Sequence, residues 1–379
     1  IYPGVQNDPT PGRIGELLPS RWVSRKQRIV RQRHRIEFRA TLLEILNGRR
    51  PMTAEALFYL YFGAQGVDRP DARDYFKYRF TQPRHLVALG HLSEDALRDS
   101  PVLDVGCGGG HITRYLTMRT HRSSAVGVDE HFLLLFVAKH CVAPDADYVC
   151  CDIEEGLPFK NNIFDAVICV NTFHFLRKKA FCASEFKRMI GSNGKIVLAG
   201  LRQRLMPHKT KNMALTPQGY RSLFADMKTE MIDDHAVLRA YLERRCPGAD
   251  CARPAEALAG SELISLVSRN SRTTGDPDTF DEWPHAIGRL GINPIFRVSR
   301  ENSDGSLELE RWFPSEFYAD ENHEMRDYIP PSARLEAEVL EAVRTGRWIE
   351  EMKDLVSDFV LIDVPEAYGC QRLGNQKLT

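Results

Sequence analysis

The pattern of apolar positions is organised around residues 101–110. Residues 102–105 form a short, mostly apolar run bounded by turn residues, and such a run predicts a buried strand. Four glycines crowd the loop at 106–110, and residues 111–120 then repeat apolar side chains at helical spacing. A strand, a glycine loop and a helix in this order are typical of nucleotide-binding βα turns, whose backbone lies close to a ligand.

Four more apolar runs predict strands, at residues 125–128, 148–151, 166–170 and 195–199. Asp129, Asp152 and Asn171 stand directly after the first three of these runs. Helical patterns at 130–141 and 177–190 separate the runs. Repeated β-then-α units predict a parallel sheet with helices on both faces and a ligand site at the carboxyl ends of its strands.

The pattern changes after the fifth strand. Residues 201–274 hold helical segments, including one at 262–268, and we expect this stretch to be an insert that covers the active site as a lid. Its apolar side chains and cations suit an acceptor with an apolar body and an anionic end. The predicted contacts to the acceptor include Tyr220, Phe224 and Arg204, with further cations at Arg202, Lys209 and Lys211.

A last helix at 280–290 and an antiparallel hairpin at 292–313 are expected to complete the sheet. A charged helix at 333–359 and an edge strand at 360–364 follow. The fold class is therefore α/β and Rossmann-like, with a seven-stranded, mostly parallel sheet and a closing antiparallel hairpin. The predicted divisions are an arm and helical cap at 1–95, a ligand-binding core at 96–200, the lid at 201–275, the last core helix and hairpin at 276–315, and an extension at 316–379.

Composition excludes some classes of function. Lys plus Arg and Asp plus Glu number 51 each, and the resulting net charge of zero argues against a protein that coats nucleic acid. No apolar run approaches the roughly 18 residues of a membrane span, and residues 1–10 do not resemble a signal peptide. Most of the nine cysteines fall in predicted core elements, as expected in a reducing cytoplasm. We therefore expect a cytoplasmic protein.

Two further features bear on ligands. Cys246 and Cys251 are close in sequence, but no second Cys or His pair stands nearby at zinc spacing, so no metal is expected.

Residues 21–39 carry eight basic side chains, including Arg21 and Arg39, with apolar residues between them. This stretch is either an amphipathic helix with a solvated basic face or a contact surface for an anionic partner.

Five sequence motifs follow one another from the first predicted strand to the fifth: DVGCGGG, GVDE, CDIEEGLPF, FDAVICVNTFHF and GSNGKIVLAG. They resemble the successive motifs of class I S-adenosylmethionine (SAM)-dependent methyltransferases, with the closest similarity to the small-molecule, ubiquinone-biosynthesis type. The resemblance covers residues 101–201. Nucleotide dehydrogenases are the competing interpretation, but their loop is usually GxGxxG and they lack the LPF-then-FD pattern at 157–165.

The resemblance implies SAM as cofactor, S-adenosylhomocysteine (SAH) as product, and a set of cofactor-binding residues. These are Asp104, Gly106, Cys107, Gly108, Asp129, Glu130, Asp152, Ile153, Asn171, Tyr75 and Arg79. In the family pattern Asp104 fixes the glycine loop and the amino-acid end of SAM, Asp129 binds the ribose hydroxyls and Asp152 reaches the adenine amine. Asn171 lies under the methionine portion. The alternative role for each acid is a carboxylate that only caps a loop.

His174, three residues after Asn171, is the candidate catalytic base, because imidazole titrates near neutrality and the position is at a strand end. Its alternative role is packing alone. The sequence Asn-Thr-Phe-His at 171–174 also lacks the Asn/Asp-Pro-Pro-aromatic run with which nucleic-acid amino-methylases grip a flipped base.

Together these features predict an enzyme that methylates O, N or C of a small-molecule acceptor in secondary or cofactor metabolism. Nucleic acid is not an expected partner, and a homodimer is left open. One alternative is an RNA or protein methyltransferase that docks through the basic stretch at 21–39. The other is a non-catalytic methyltransferase-like scaffold, against which the intact Asp104, Asp129 and Asp152 argue.

Overall fold

The computed structural model describes residues 36–37, 39–64, 77–82, 87–92, 101–119, 125–208, 212–245, 251–270 and 283–368. The chain divides into two compact units. The first unit is residues 83–287, and the second unit combines residues 2–82 with 288–379. Among the helices of these ranges, none has the length and apolarity needed to cross a membrane.

The strands and helices are numbered in chain order. The strands are β1 Val102–Val105, β2 Ala125–Asp129, β3 Asp147–Cys150, β4 Phe164–Val170, β5 Ile190–Arg202, β6 Lys228–Asp233, β7 Leu263–Arg269, β8 Leu290–Ile292, β9 Phe296–Glu301, β10 Leu307–Arg311, β11 Ser332–Leu335 and β12 Leu361–Asp363. The α-helices are α1 Ala54–Ala64, α2 His111–Arg119, α3 Phe132–Val137, α4 Lys179–Met189, α5 Pro217–Ser222, α6 Asp234–Leu242, α7 Glu316–Glu321, α8 Met325–Tyr328, α9 Ala337–Thr345 and α10 Met352–Ser357.

The first unit is built on a seven-stranded sheet of order β3-β2-β1-β4-β5-β7-β6. Strands β1 to β5 pair in parallel, whereas β7 runs antiparallel to both β5 and β6. The predicted Rossmann-like α/β fold with a mostly parallel sheet is confirmed. The strand order reverses between β1 and β4, and ligands of such sheets bind in the crevice outside the carboxyl ends at that point.

The centre of the sheet is buried on both faces, which is why its strands are continuous apolar runs. In β4 every residue except Asp165 is buried. The following helix, α4, buries Cys182, Ala183, Phe186 and Met189 along one face, and these residues share a hydrophobic core with β4 and β5. Each large apolar side chain removed from water in this way contributes roughly 1.5–3 kcal/mol.

The strands that close the sheet are not the predicted ones. The hairpin at 292–313 exists as β9 and β10, with Gly305 at φ +81° in its turn, but it pairs with β11 in the second unit. Strands β6 and β7 close the seven-stranded sheet instead. The predicted insert at 201–275 therefore contributes two strands of the sheet, and only the segments around those strands can act as a lid.

The error has a physical origin in β7, which the sequence pattern assigns to a helix at 262–268. All six residues from 263 to 268 are buried in the structure, so the run shows no alternation of polar and apolar positions. Without alternation, a short buried strand and a buried helical segment look alike. The predicted helix at 280–290 is also wrong at its end, where residues 290–292 form β8, and residues 271–282 lie outside the described part of the chain.

The second unit is held together by antiparallel pairs and an aromatic core. Strand β8 pairs with β12, which confirms the edge strand expected at 360–364. The charged helix expected at 333–359 is instead β11 followed by α9 and α10. The rings of Phe58 and Phe80 meet Tyr368 at centroid distances of 6.2 and 4.8 Å. Residues before 83 therefore pack with the last part of the chain, and the boundary predicted at 95 is not observed.

One backbone feature of β5 predicts a stability effect. Gly200 has φ +63°, and a Cβ there would lie 2.0 Å from the Asn171 Oδ1 atom. We expect Gly200→Ala to lower the free energy of unfolding by about 1–3 kcal/mol, because an L-residue is strained at this φ and the Asn171 side chain must move. The measurement is urea unfolding followed by circular dichroism.

Gly191, in the same strand, is the matched control. It has no positive φ, and a Cβ there would meet its nearest neighbour, the Phe164 carbonyl, at an ordinary 3.9 Å. Gly191→Ala is expected to change stability by less than about 0.5 kcal/mol. Equal effects of the two substitutions would contradict the assigned role of the Gly200–Asn171 contact.

Candidate active site

A glycine loop follows β1, and its backbone is tied to β2. The amides of Gly106 and Cys107 both donate to the Val128 carbonyl, at 2.8 and 3.0 Å. A Cβ on Gly106 would lie 2.4 Å from the Thr172 side chain, whereas a Cβ on Gly108 would meet nothing within 4 Å. The loop is therefore tightly packed towards β4 and open at Gly108, where a ligand can approach the backbone.

Asp104 fixes the helix that follows the loop. Its side chain is 2% exposed, and its Oδ2 accepts a 2.6 Å hydrogen bond from Thr113 Oγ1 on α2. Burial raises the pKa of this carboxyl to about 7, although the hydrogen bonds from Thr113 oppose the rise. The structure thus shows how Asp104 holds the start of α2, while its contact with the glycine loop and with the amino-acid end of SAM stays a prediction.

Asp129 ties the glycine loop to the end of β2. It is fully buried, and its Oδ2 accepts a hydrogen bond from the Gly108 amide at 3.0 Å. Its Oδ1 accepts from the His131 amide at 2.9 Å and lies 3.2 Å from the His131 ring Nδ1. These bonds are those of a loop-capping carboxylate. The neighbouring Glu130 side chain is 43% exposed, and ribose binding by either acid stays a prediction.

Asp152 and Ile153 stand at the end of β3, which pairs in parallel register with β2. The parallel pairing brings this strand end to the same edge of the sheet as Asp129. Asp152 is exposed and its Oδ1 accepts from the Glu154 amide at 2.8 Å, so it begins the short 3₁₀ turn at Ile153–Glu155. Ile153 is buried beneath this turn. The roles of both residues towards adenine stay predictions.

Asn171 turns the chain at the end of β4. Its backbone has φ +53°, in the left-handed region, and its amide donates to the Ala199 carbonyl at 2.9 Å. The turn leads into a short 3₁₀ segment, Phe173–Phe175, that carries His174. The sequence therefore places Asn171 and His174 correctly at the carboxyl edge of the sheet.

The surroundings of His174 disfavour its role as a general base. The side chain is 2% exposed, and burial lowers its pKa well below the usual value. The nearby charges of Arg202, His208 and Lys179 lower the pKa further. The imidazole is therefore neutral at neutral pH and holds an added proton poorly.

The sequence analysis names Arg202 among the cations of the predicted insert, but it does not single out Lys179 or His208 at this edge. Lys179 is 6% exposed, and its ammonium donates to the carbonyls of Leu176 and Met213, the latter at 2.7 Å. Burial lowers its pKa to about 8. Their positions just after β4 and β5 are the signal that could have identified them, because those strand ends face the acceptor in the predicted fold.

The residues assigned to the N-terminal cap are less well placed. Tyr75 lies outside the described residues. Arg79 belongs to the second unit, where its Nη1 donates to Gln82 Oε1 at 3.0 Å, so its role towards SAM stays a prediction. The neighbouring Tyr78 is buried and packs edge-to-face on Trp312 and Tyr318.

Within the described ranges, no group of three or more His, Cys, Asp or Glu side chains could hold a metal ion. Cys246, one of the two closely spaced cysteines, falls outside these ranges, and Cys251 is buried. Metal independence stays a prediction.

Comparison with known proteins resolves the choice between a methyltransferase and a dehydrogenase. A family model described as a methyltransferase domain matches residues 103–198, which run from β1 into β5. Residues 103–198 form a class I SAM-dependent methyltransferase domain. The resemblance drawn from the five motifs is confirmed at this level, and SAM is the cofactor of the domain.

The methyltransferase domain also matches part of a curated protein. The 18S rRNA (guanine-N(7))-methyltransferase bud23 of Schizosaccharomyces pombe is 34% identical over 82 residues, a match that covers 22% of this chain and 30% of that protein.

Two solved structures are similar to the domain in fold. One is a methyltransferase in complex with the Haloferax volcanii Trm112 methyltransferase activator, at 19% identity and a TM-score of 0.39, covering 53% of this chain and 94% of that chain. The other is a SAM-dependent methyltransferase from Aquifex aeolicus, at 12% identity and a TM-score of 0.36, covering 52% and 98%.

The open space beside Gly108 makes the glycine loop compatible with a bound cofactor. A Cβ at Gly108 would occupy space that no neighbouring atom fills within 4 Å, so the backbone there is an open cradle. The loop backbone and Asp104 would hold the amino-acid end of SAM, Asp129 and Glu130 the ribose, and Asp152 the adenine. When bound, SAM supplies a methyl group made electrophilic by its sulfonium.

The raised pKa of Asp104 predicts a pH effect on the stability of the methyltransferase domain. Between the ordinary carboxyl pKa of 3.8 and about 7, the folded state binds a proton that the unfolded state releases. This group therefore destabilises the fold progressively as pH rises across that window. Asp104→Asn does not titrate, so its melting temperature relative to wild type should rise from about pH 5 to about pH 7 and then level off.

Differential scanning fluorimetry over this pH range checks the prediction. Asp147→Asn, at an exposed position in β3, is the matched control and should follow the wild-type profile. A constant difference between Asp104→Asn and wild type at all pH values would contradict a shifted carboxyl.

Proposed function

We propose that this protein transfers a methyl group from SAM to an oxygen, nitrogen or carbon atom of a small-molecule acceptor. The observation that carries the proposal is the burial of polar groups at the carboxyl end of β4. His174 and Lys179 are 2% and 6% exposed there, beside the switch point between β1 and β4. Buried polar groups in this place suit a small ligand that is enclosed on binding, rather than a polymer lying across an open face.

The chain's own contribution to the reaction is positioning and exclusion of water, which together can supply much of the rate of an in-line displacement. Asp129 holds the Gly108 amide and so fixes the shape of the cofactor loop. Thr172 fills the space beside Gly106 and keeps that loop against the end of β4. Asn171 then directs the chain towards the acceptor side.

We also propose that residues 203–227, between β5 and β6, cover the acceptor. The described part of this segment is tied to the site by the bond from Lys179 to the Met213 carbonyl. Arg204 Nε donates to the Ala214 carbonyl at 3.0 Å, and this bond connects two parts of the same segment. Tyr220 and Phe224, which the sequence assigned to the lid, instead pack among the apolar side chains of the buried core. Lys209 and Lys211 lie outside the described residues.

RNA methylation is the second candidate, because the curated relative bud23 acts on 18S rRNA by its name. A gel-shift titration with an rRNA fragment separates the two functions. Phosphate contacts would make RNA affinity fall by a factor of about ten or more between about 50 and 200 mM salt. The small-molecule proposal predicts no such complex. Residues 21–35, which hold most of the basic stretch, lie outside the described part of the chain.

The methyltransferase proposal predicts stoichiometric SAM and SAH binding by calorimetry. Asp129→Ala should weaken SAM by about 1–3 kcal/mol, because it frees the Gly108 amide and removes the predicted ribose contact. Asp147→Ala, at an exposed position in the neighbouring strand, should leave SAM affinity unchanged. Circular dichroism confirms that each variant is folded. Tight binding of NAD without SAM would overturn the proposed function.

A further inference from the structure

Four basic groups converge at the carboxyl ends of β4 and β5, and we call them the acceptor-side basic cluster. They are His174, Lys179, Arg202 and His208. His174 follows β4, Lys179 begins α4, and Arg202 is the last residue of β5. The charges of the other three members all act on the His174 imidazole. The chain thus brings basic groups from separate elements to one place beside the switch point.

The buried ring of His174 points to a ligand independently of the charges around it. Its Nδ1 and Nε2 are both buried, and neither has a hydrogen-bond partner in the described structure. Its ring lies against Phe175 with centroids 3.9 Å apart. Burying a polar ring without partners costs stability, and a ligand that hydrogen-bonds the ring would remove that cost.

The acids near the cluster do not neutralise it. Arg202 Nη1 lies 3.9 Å from Glu262 Oε1, but the Glu262 side chain is 55% exposed, so this pair is weak. Glu154 favours the charged form of Lys179, and Arg204 opposes it. Glu154 Oε1 already accepts from the amides of Arg177 and Lys178. The local charge balance at the cluster therefore remains positive.

Lys179 retains capacity for a further partner. An ammonium carries three N–H donors, and two carbonyls, those of Leu176 and Met213, accept from it among the described residues. Apolar side chains stand close in sequence to the cluster on the same segments. Leu205 is 52% exposed, and Phe175 and Met213 are half-buried.

We propose that the acceptor-side basic cluster binds the acceptor as an oxyanion, a carboxylate or phenolate on an apolar body, and that His174 is a positioning residue that hydrogen-bonds it. This inference rests on the proposed function and names its substrate class. The cations stabilise the anionic form of the acceptor, and the neutral imidazole donates to it without competing for its proton.

An acceptor bound in this form needs no general base at the moment of transfer. A lone pair on the oxyanion forms the new O–C bond while the C–S bond of the sulfonium breaks. The electron pair of that bond stays on sulfur, which becomes the neutral thioether of SAH, and no proton is transferred in the step. In such a reaction His174 does not have to accept a proton, which agrees with its lowered pKa.

Calorimetry on the SAH-saturated protein tests the proposal with matched probes. The probes are benzoate, salicylate and 2-naphthoate, each paired with its own neutral carboxamide. At least one acid is expected to bind about tenfold or more tightly than its amide, because a charge-assisted hydrogen bond replaces a neutral one. If no acid in the panel binds more tightly than its amide, the proposal is overturned.

Two variants and one control locate the effect. Arg202→Gln and Lys179→Gln should each abolish the preference for the acid while leaving SAH affinity within about twofold of wild type. Arg202 is partly exposed, so its variant remains informative if loss of the buried Lys179 prevents folding. Arg221→Gln, at an exposed position on α5, should retain the full preference. A preference that survives Arg202→Gln would place the anion site elsewhere.

NMR of ¹³C- and ¹⁵N-labelled histidine distinguishes positioning from a merely structural role. The His174 ring, assigned with His174→Gln, should be neutral at neutral pH and should change its nitrogen shifts when the preferred acid binds. A protonated ring, or shifts that do not respond to the acid, would contradict the proposal. Failure of SAH to bind at all would instead refute the proposed function.

Discussion

The hydrogen bond from the Gly108 amide to Asp129 is the contact on which the cofactor end of the site depends. Apart from the buried Cys107, the glycine loop has no side chains with which to pack, so its shape depends on backbone hydrogen bonds. The carbonyl of Val128 and the carboxylate of Asp129 supply them from the end of β2. Because β1 and β2 lie side by side in parallel, the loop and these acceptors meet without any long connection.

The same parallel arrangement explains why so much of the first unit can be predicted from sequence. The apolar runs predicted for β2, β3 and β4 are each followed at once by a polar residue, and they are largely buried in the structure except in the edge strand β3. Parallel pairing is local in this fold, since a strand, a helix and the next strand occupy consecutive stretches of chain. The pattern alone therefore located Asp129, Asp152 and Asn171 at one edge of the sheet, whereas Asp104 was assigned from the family resemblance.

What the sequence could not give depends on contacts between distant segments. Strand β7 lies between β5 and β6 in the sheet, so its position requires knowledge of long-range antiparallel pairing. The environment of His174 is a second example. Its surroundings are set by Lys179, Arg202 and His208, and their combined effect on its pKa appears only once the strand ends are placed together. A histidine that looks like a base in sequence thus becomes a neutral hydrogen-bonding group in the fold.

The composition of the second unit has a consequence for how the chain folds during synthesis. Phe58 and Phe80 leave the ribosome early, whereas their aromatic partner Tyr368 is made after the entire methyltransferase domain. Strand β8 is likewise synthesised before β12, the strand with which it pairs. Since domains fold as units while the chain grows, the first unit can complete its core while the early half of the second is still without its partners. Ribosome pausing or premature termination before Tyr368 is made would therefore leave a formed cofactor domain attached to exposed aromatic surface, a species prone to aggregation.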